Sequence, residues 1–163
     1  MLLSPFSHRQ QRRESDCLVA CAEMVLNHLG IAIEYTRLAK ILRAGADFTP
    51  FSHLRYLEDL GLSITLDTQG DVSLFETYIA VRLPVIVAVK TLNWLYWGDT
   101  VTEHAVLVVG IDQTHDLIYI HDPFFAEAPI EMELLRFETG WEEKERRYAV
   151  IGLAPLKESS ESE

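Results

Sequence analysis

Cys17 follows an aspartate and opens the stretch CLVACAEMVLNHLG, in which Glu23 is the one charged residue from Cys17 to Leu26. That stretch predicts a helix over about 16–29, apolar on nearly every side and ended by Gly30 as a C-cap. Ser15 or Asp16 can cap its free N–H groups, and Cys17 then lies at the positive end of the helix dipole. Such a location, above all beside an imidazolium, lowers a thiol pKa and creates a thiolate nucleophile. Free cysteine is also among the most buried residue types, so Cys17 reads either as a small core residue or as a mounted nucleophile. Cys21, one turn deeper, reads as core.

The partners decide between the two. A cysteine nucleophile needs a base, and the base needs an acceptor that orients it. His104 opens the strong strand HAVLVVGID after a loop, and the next strand, DLIYIHD, ends with Asp122 before Pro123. If the DQTHD turn pairs these strands, the start of the first lies beside the end of the second, and His104 and Asp122 become cross-strand neighbours. His121 alternates to the opposite face and takes no such role. Taken singly, Asp-Pro is a common turn starter and a strand-edge His is commonly only solvated; the joint pattern carries the reading.

Around these residues the chain divides into two patterns. Helices are expected at about 16–29, 34–44 and 51–60, the last after Pro50 with Ser52 as a cap and Gly61 as its stop. LSITLD alternates like a strand and SLFETYIAVR reads as a fourth helix. From Pro84 onward PVIVAVK, HAVLVVGID, DLIYIHD and RYAVIGLA are β-branched, apolar and separated by turn signals. IEMELLRFETGW fits a helix or an irregular crossover. Helices first and an antiparallel sheet afterwards give an α+β fold. Length implies one domain, 1–155, followed by an acidic, flexible tail, 156–163.

The ordered set Gln11, Asp16-Cys17, HAVLVVGID and HDP resembles the C39 peptidase family, papain-like cysteine peptidases related to bacteriocin-processing domains. The resemblance covers about residues 8 to 154 and implies a papain-like fold. It implies Cys17 as nucleophile, His104 as general base and acid, Asp122 as the residue orienting His104, and Gln11 as oxyanion donor, with Gln10 offset by one. Many members have Gly after the cysteine where this chain has Leu18. No transporter follows, so the chain resembles free-standing members; cleavage of a leader peptide is implied by kinship with the transporter-fused enzymes and by no residue here, and a separate transporter or pathway partner is left open.

Trp94, Tyr96 and Trp97, in the loop leading to His104, read either as lining of a peptide groove or as core and hinge residues. The expected substrate is a peptide or protein, with no cofactor. Two other readings stay open: a papain-like amidase or acyl-transferase with the same Cys, His, Asp order, and a non-catalytic domain that binds a leader or partner. A formal charge of -11 argues against nucleic acid as a partner. The histidines are scattered, and no C-x-x-C or H-E-x-x-H suggests a metal. No apolar run reaches the roughly 18 residues of a membrane span. The N-terminus, apolar then basic, reverses the secretory order, so the expected location is the cytoplasm.

Overall fold

The computed structural model describes residues 1–154; the expected acidic tail lies outside the described residues. Helix α1, Cys17–His28, buries nine of its twelve residues and therefore sits inside the molecule. Helix α2 spans Tyr35–Ile41 and ends short of the expected 44. The third helical segment, Phe51–Leu60, is a 3₁₀ helix entered from Pro50, with no side-chain cap from Ser52, and it ends at Gly61 with φ 80°. Glycine suits that left-handed stop because it has no Cβ to clash there.

Strand β1, Leu62–Asp67, and helix α3, Ser73–Ala80, follow as expected. Strands β2 (Val85–Lys90), β3 (Glu103–Asp112) and β4 (Leu117–His121) then build the centre of the sheet. The segment after Pro129 resolves into strand β5, Ile130–Glu133, running directly into helix α4, Leu134–Glu142. Sequence reading expected one helix or a crossover there, because four edge-strand residues are too few for period-two alternation to show. Strand β6, Tyr148–Leu153, closes the chain, and the six strands lie in the order β1-β6-β2-β3-β4-β5 with every pairing antiparallel.

Strands β2 and β3 are buried at almost every position, which requires both faces of the sheet centre to be covered. Helix α1 packs on β3, and α4 packs on β2. At that second contact Gly140 passes so close that a Cβ would strike the Lys90 carbonyl oxygen and stand 2.7 Å from Trp94 Nε1. Trp94 is fully buried, lies against Phe137 with ring centroids 5.8 Å apart, and donates its indole N–H to Arg136 O at 2.9 Å.

The pairing of β3 with β4 carries one irregularity. Gly110 faces Tyr119, whereas Val108 faces Ile120, so Val109 is an extra residue on β3. This bulge shifts every later partner by one. Leu107 faces His121, and continuing that register sets Asp122 opposite Val106, on the same face as His104. Without the extra residue Asp122 would oppose Leu107 and point away from His104, because strand side chains alternate. The chain's first residues fill the space beside the bulge: Leu3 N–H donates to Val109 O at 2.8 Å and Ile111 N–H to Met1 O at 2.8 Å. A Cβ on Gly110 would lie 2.8 Å from Met1 O, so glycine admits this approach.

Gly140→Ala is expected to destabilise the protein by about 1–3 kcal/mol through overpacking of α4 on β2. Thermal unfolding followed by circular dichroism checks it; an unchanged melting temperature would mean the two elements separate without cost.

Candidate active site

Cys17 is the first residue of α1 and only 6% exposed. The sequence offered Ser15 or Asp16 as a cap, but neither caps the helix through its side chain. Asp16 is buried and instead accepts Arg13 Nε at 3.0 Å, Arg13 Nη2 at 3.1 Å and Tyr35 Oη at 2.6 Å. Four residues on, Cys21 is fully buried and its thiol lies 3.6 Å from Ala105 O. Burial, then the neighbouring Cys17 and Asp122, push the Cys21 thiol pKa well up, as expected of an inert core cysteine.

His104, on β3, lies between Cys17 and Asp122. Its Nε2 is 2.6 Å from Asp122 Oδ1, and the ring lines the same cleft as the Cys17 thiol. With Nε2 committed to the carboxylate, Nδ1 is the nitrogen left to face sulfur. Burial alone would depress this imidazole. The Asp122 bond and then the neighbouring Cys17 outweigh it and raise the pKa to about 9. Burial likewise opposes ionisation of Asp122, but the bond and charge of His104 hold its pKa below the usual value.

Asp122 has no exposed surface and takes three further donors. Tyr96 Oη donates to Oδ2 at 2.7 Å, Trp97 Nε1 to Oδ2 at 3.0 Å, and Phe124 N–H to Oδ1 at 3.0 Å. The Trp97 ring also stands edge-on to His104, with centroids 5.1 Å apart. The loop carrying these aromatics is pinched at its neck, where Thr91 Oγ1 donates to Thr100 O at 2.8 Å and accepts Thr102 N–H at 2.9 Å.

The expectation of an aromatic groove is therefore corrected. A cleft of about 660 Å³ opens over Cys17 and His104, yet Trp94, Tyr96 and Trp97 do not line it. Trp94 is core, and Tyr96 and Trp97 hold the carboxylate from behind. Their polar tips are what sets them apart, because a phenol or indole N–H drawn into a buried site needs an acceptor. Nothing in the linear order named Asp122 as that acceptor. The cleft's apolar lining comes instead from Phe48, Pro50 and Phe51, and its polar lining includes Glu103 paired with Lys144 at 2.9 Å.

Gln11 lies on an N-terminal strap. Its backbone N–H donates to Pro123 O at 2.7 Å, while Gln10 Nε2 donates to Phe124 O at 3.1 Å, so the strap is fastened to the loop after Asp122. The Gln11 side-chain amide donates to Arg13 O at 2.9 Å and Glu14 O at 2.8 Å, and its buried Oε1 has no partner among the described residues. Both N–H bonds of that amide are thus engaged with backbone carbonyls. Among the described residues no cluster of three or more His, Cys, Asp or Glu side chains is arranged to hold a metal, and no helix is long and apolar enough to cross a membrane.

The fold is shared with solved peptidase structures. A Bacillus anthracis protein described as a C39-like peptidase superposes with a TM-score of 0.72 at 18% identity, covering 97% of this chain and 98% of that one. The peptidase domain of Streptococcus ComA, a bifunctional ABC transporter of a quorum-sensing pathway, gives 0.70 at 22% identity over 93% and 99%. A double-glycine-motif protease from an AMS/PCAT transporter, solved with its leader peptide, gives 0.66 at 13% over 93% and 94%. No curated protein sequence matches the chain. The sequence pattern of the Peptidase C39 family, in contrast, matches residues 6–145. The chain belongs to the Peptidase C39 family, with the papain-like fold of its peptidase domains.

Proposed function

We propose that the protein is a cysteine peptidase using Cys17, His104 and Asp122, with Gln11 as an oxyanion donor. The observation that carries this reading is the buried line from thiol to imidazole to fully satisfied carboxylate beneath an open cleft. A His104 imidazolium beside Cys17 favours the thiolate, which attacks the substrate carbonyl. His104 then gives its proton to the leaving amine, and water releases the acyl group from sulfur. The negative oxygen formed on attack is held by the Cys17 N–H and by Gln11. To donate there, Gln11 exchanges a bond to a neutral carbonyl for one to an oxyanion, roughly twice as strong.

The substrate is a peptide segment lying along the cleft lined by Phe48–Phe51 and the Glu103–Lys144 pair. Solved relatives that include a leader-peptide complex support a leader segment as that substrate, presented by a separate partner. The reading sets the reaction in the cytoplasm, where two free thiols such as Cys17 and Cys21 stay reduced.

Iodoacetamide is expected to label Cys17 rapidly in the folded protein at pH 7 and to leave Cys21 untouched, with labelling of Cys17 falling about 10²-fold in His104→Ala. Peptide mapping reads both sites. Equally slow labelling of the two thiols would sink the triad and leave the partner-binding reading.

A second expectation concerns stability. His104 has a folded pKa raised from 6.5 to about 9, so its contribution is full below about pH 6.5 and is lost as pH rises toward 9. Melting temperature should therefore decline across that window in the wild type and decline less in His104→Ala. Parallel profiles for the two proteins would show that His104 gains no proton affinity on folding.

A further inference from the structure

Five residues, 12–16, separate the Gln11 oxyanion donor from the Cys17 nucleophile, and they form neither helix nor strand. Catalysis constrains them tightly, because an oxyanion donor works only when placed within about 2.7–3.1 Å of the developing charge. The structure shows what fixes this link. Arg13 folds back and grips Asp16 through two nitrogens, at 3.0 and 3.1 Å. Asp16 N–H donates to Arg13 O at 3.1 Å, which makes residues 13–16 a closed turn. Gln11 Nε2 donates into the same turn, to Arg13 O and Glu14 O.

The turn is tied to the body of the protein from α2. Tyr35, the first residue of that helix, donates its hydroxyl to Asp16 Oδ2 at 2.6 Å. Tyr35 is itself buried and covered by Arg12, whose guanidinium carbon lies 4.3 Å from the ring centroid. Burial and the Asp16 bond raise the Tyr35 pKa well above its ordinary value, so the phenol keeps its proton and remains a donor. Among the described residues the Asp16 side chain bonds only Arg13 and Tyr35, with no hydrogen bond to Cys17, His104 or Asp122. Its hydrogen bonds act on the turn, and through the turn on Gln11.

We propose that Asp16 and Tyr35 are positioning residues, which set the place of the Gln11 amide relative to Cys17 by locking the 12–16 turn onto α2. The inference rests on the peptidase reading for the roles of Gln11 and Cys17. It adds that a tyrosine on a different helix, touching neither substrate nor triad, governs oxyanion stabilisation. A displacement of a fraction of an ångström in the turn is enough to weaken that donor, since a misplacement of about 1 Å costs on the order of 10²-fold.

The test compares two reactions of Cys17. With iodoacetamide the thiolate forms a bond to the methylene carbon, iodide leaves, and no oxyanion develops. With p-nitrophenyl acetate the thiolate adds to the carbonyl, an oxyanion forms and collapses, p-nitrophenolate leaves, and the acetyl group remains on sulfur as a thioester. The ratio of acylation to alkylation cancels the reactivity of the thiolate and reads oxyanion stabilisation alone. Gln11→Ala is expected to lower that ratio by about 10²-fold, and Tyr35→Phe, with Asp16→Asn, by about tenfold. Gln11→Ala combined with Tyr35→Phe should fall no further than Gln11→Ala alone, the non-additivity of groups acting in series.

An unchanged ratio in Tyr35→Phe overturns the proposal, and so does a double variant in which the two losses multiply. An unchanged ratio in Gln11→Ala overturns it as well, because the positioned group would then not be the donor. Circular dichroism and melting temperature establish that each variant is folded; should Asp16→Asn not fold, Tyr35→Phe decides alone. Slow alkylation of Cys17 in the wild type is a different failure, that of the peptidase reading, and the ratio still reports on the turn.

Discussion

A carboxylate with no exposed surface is costly to bury unless every lone pair it keeps from water finds a donor. Asp122 meets that requirement with His104, Tyr96, Trp97 and the Phe124 N–H. These four donors come from three separate pieces of chain, so satisfying one carboxylate fixes the position of all three. The aromatic loop is drawn down behind the site, the start of β3 is held against it, and the turn after β4 is closed over it. His104 inherits its orientation from this arrangement, and its proton affinity is the electrostatic consequence.

The carboxylate reaches His104 only because β3 carries an extra residue. Side chains on a strand alternate, so two residues on neighbouring strands meet only when their register has the right parity. Val109 supplies the change of parity. Backbone groups of β3 extend beyond the end of β2, and Met1 and Leu3 pair with them. The strap that begins there continues through Gln10 and Gln11 to the loop after Asp122. The bulge thus sets Asp122 on the His104 face, and the strap carrying Gln11 is fastened to the loop that follows it.

Helix α1 shows how a single element serves stability and chemistry without conflict. Its interior faces are spent on the core, and Cys21 shares that fate, with its thiol close to a backbone carbonyl and its ionisation suppressed by burial. Cys17 differs by one turn of helix. At the N-terminus there is no preceding turn to cover it, the cleft opens above it, and His104 stands beside it. Position along the helix, more than residue type, separates an inert thiol from a candidate nucleophile.

Residue types and local spacing determined a good deal here. The apolar run after Cys17, the β-branched strands after Pro84 and the short turn between HAVLVVGID and DLIYIHD were sufficient for the helices, the sheet and the nearness of His104 to Asp122, because periodicity and turn chemistry are local properties. The same local view could not see the bulge at Val109, whose neighbours are ordinary strand residues. It missed β5, too short to alternate, and read a 3₁₀ helix at Phe51–Leu60 as an ordinary one. It left Trp94, Tyr96 and Trp97 between a groove and a core or hinge, whereas one fills the core and two serve a carboxylate some 25 residues further on. It read Asp16 as a helix cap, whereas Tyr35 and Arg13 claim that carboxylate. In each case the deciding partner is distant in the chain or depends on strand register, and only the folded structure brings the two together.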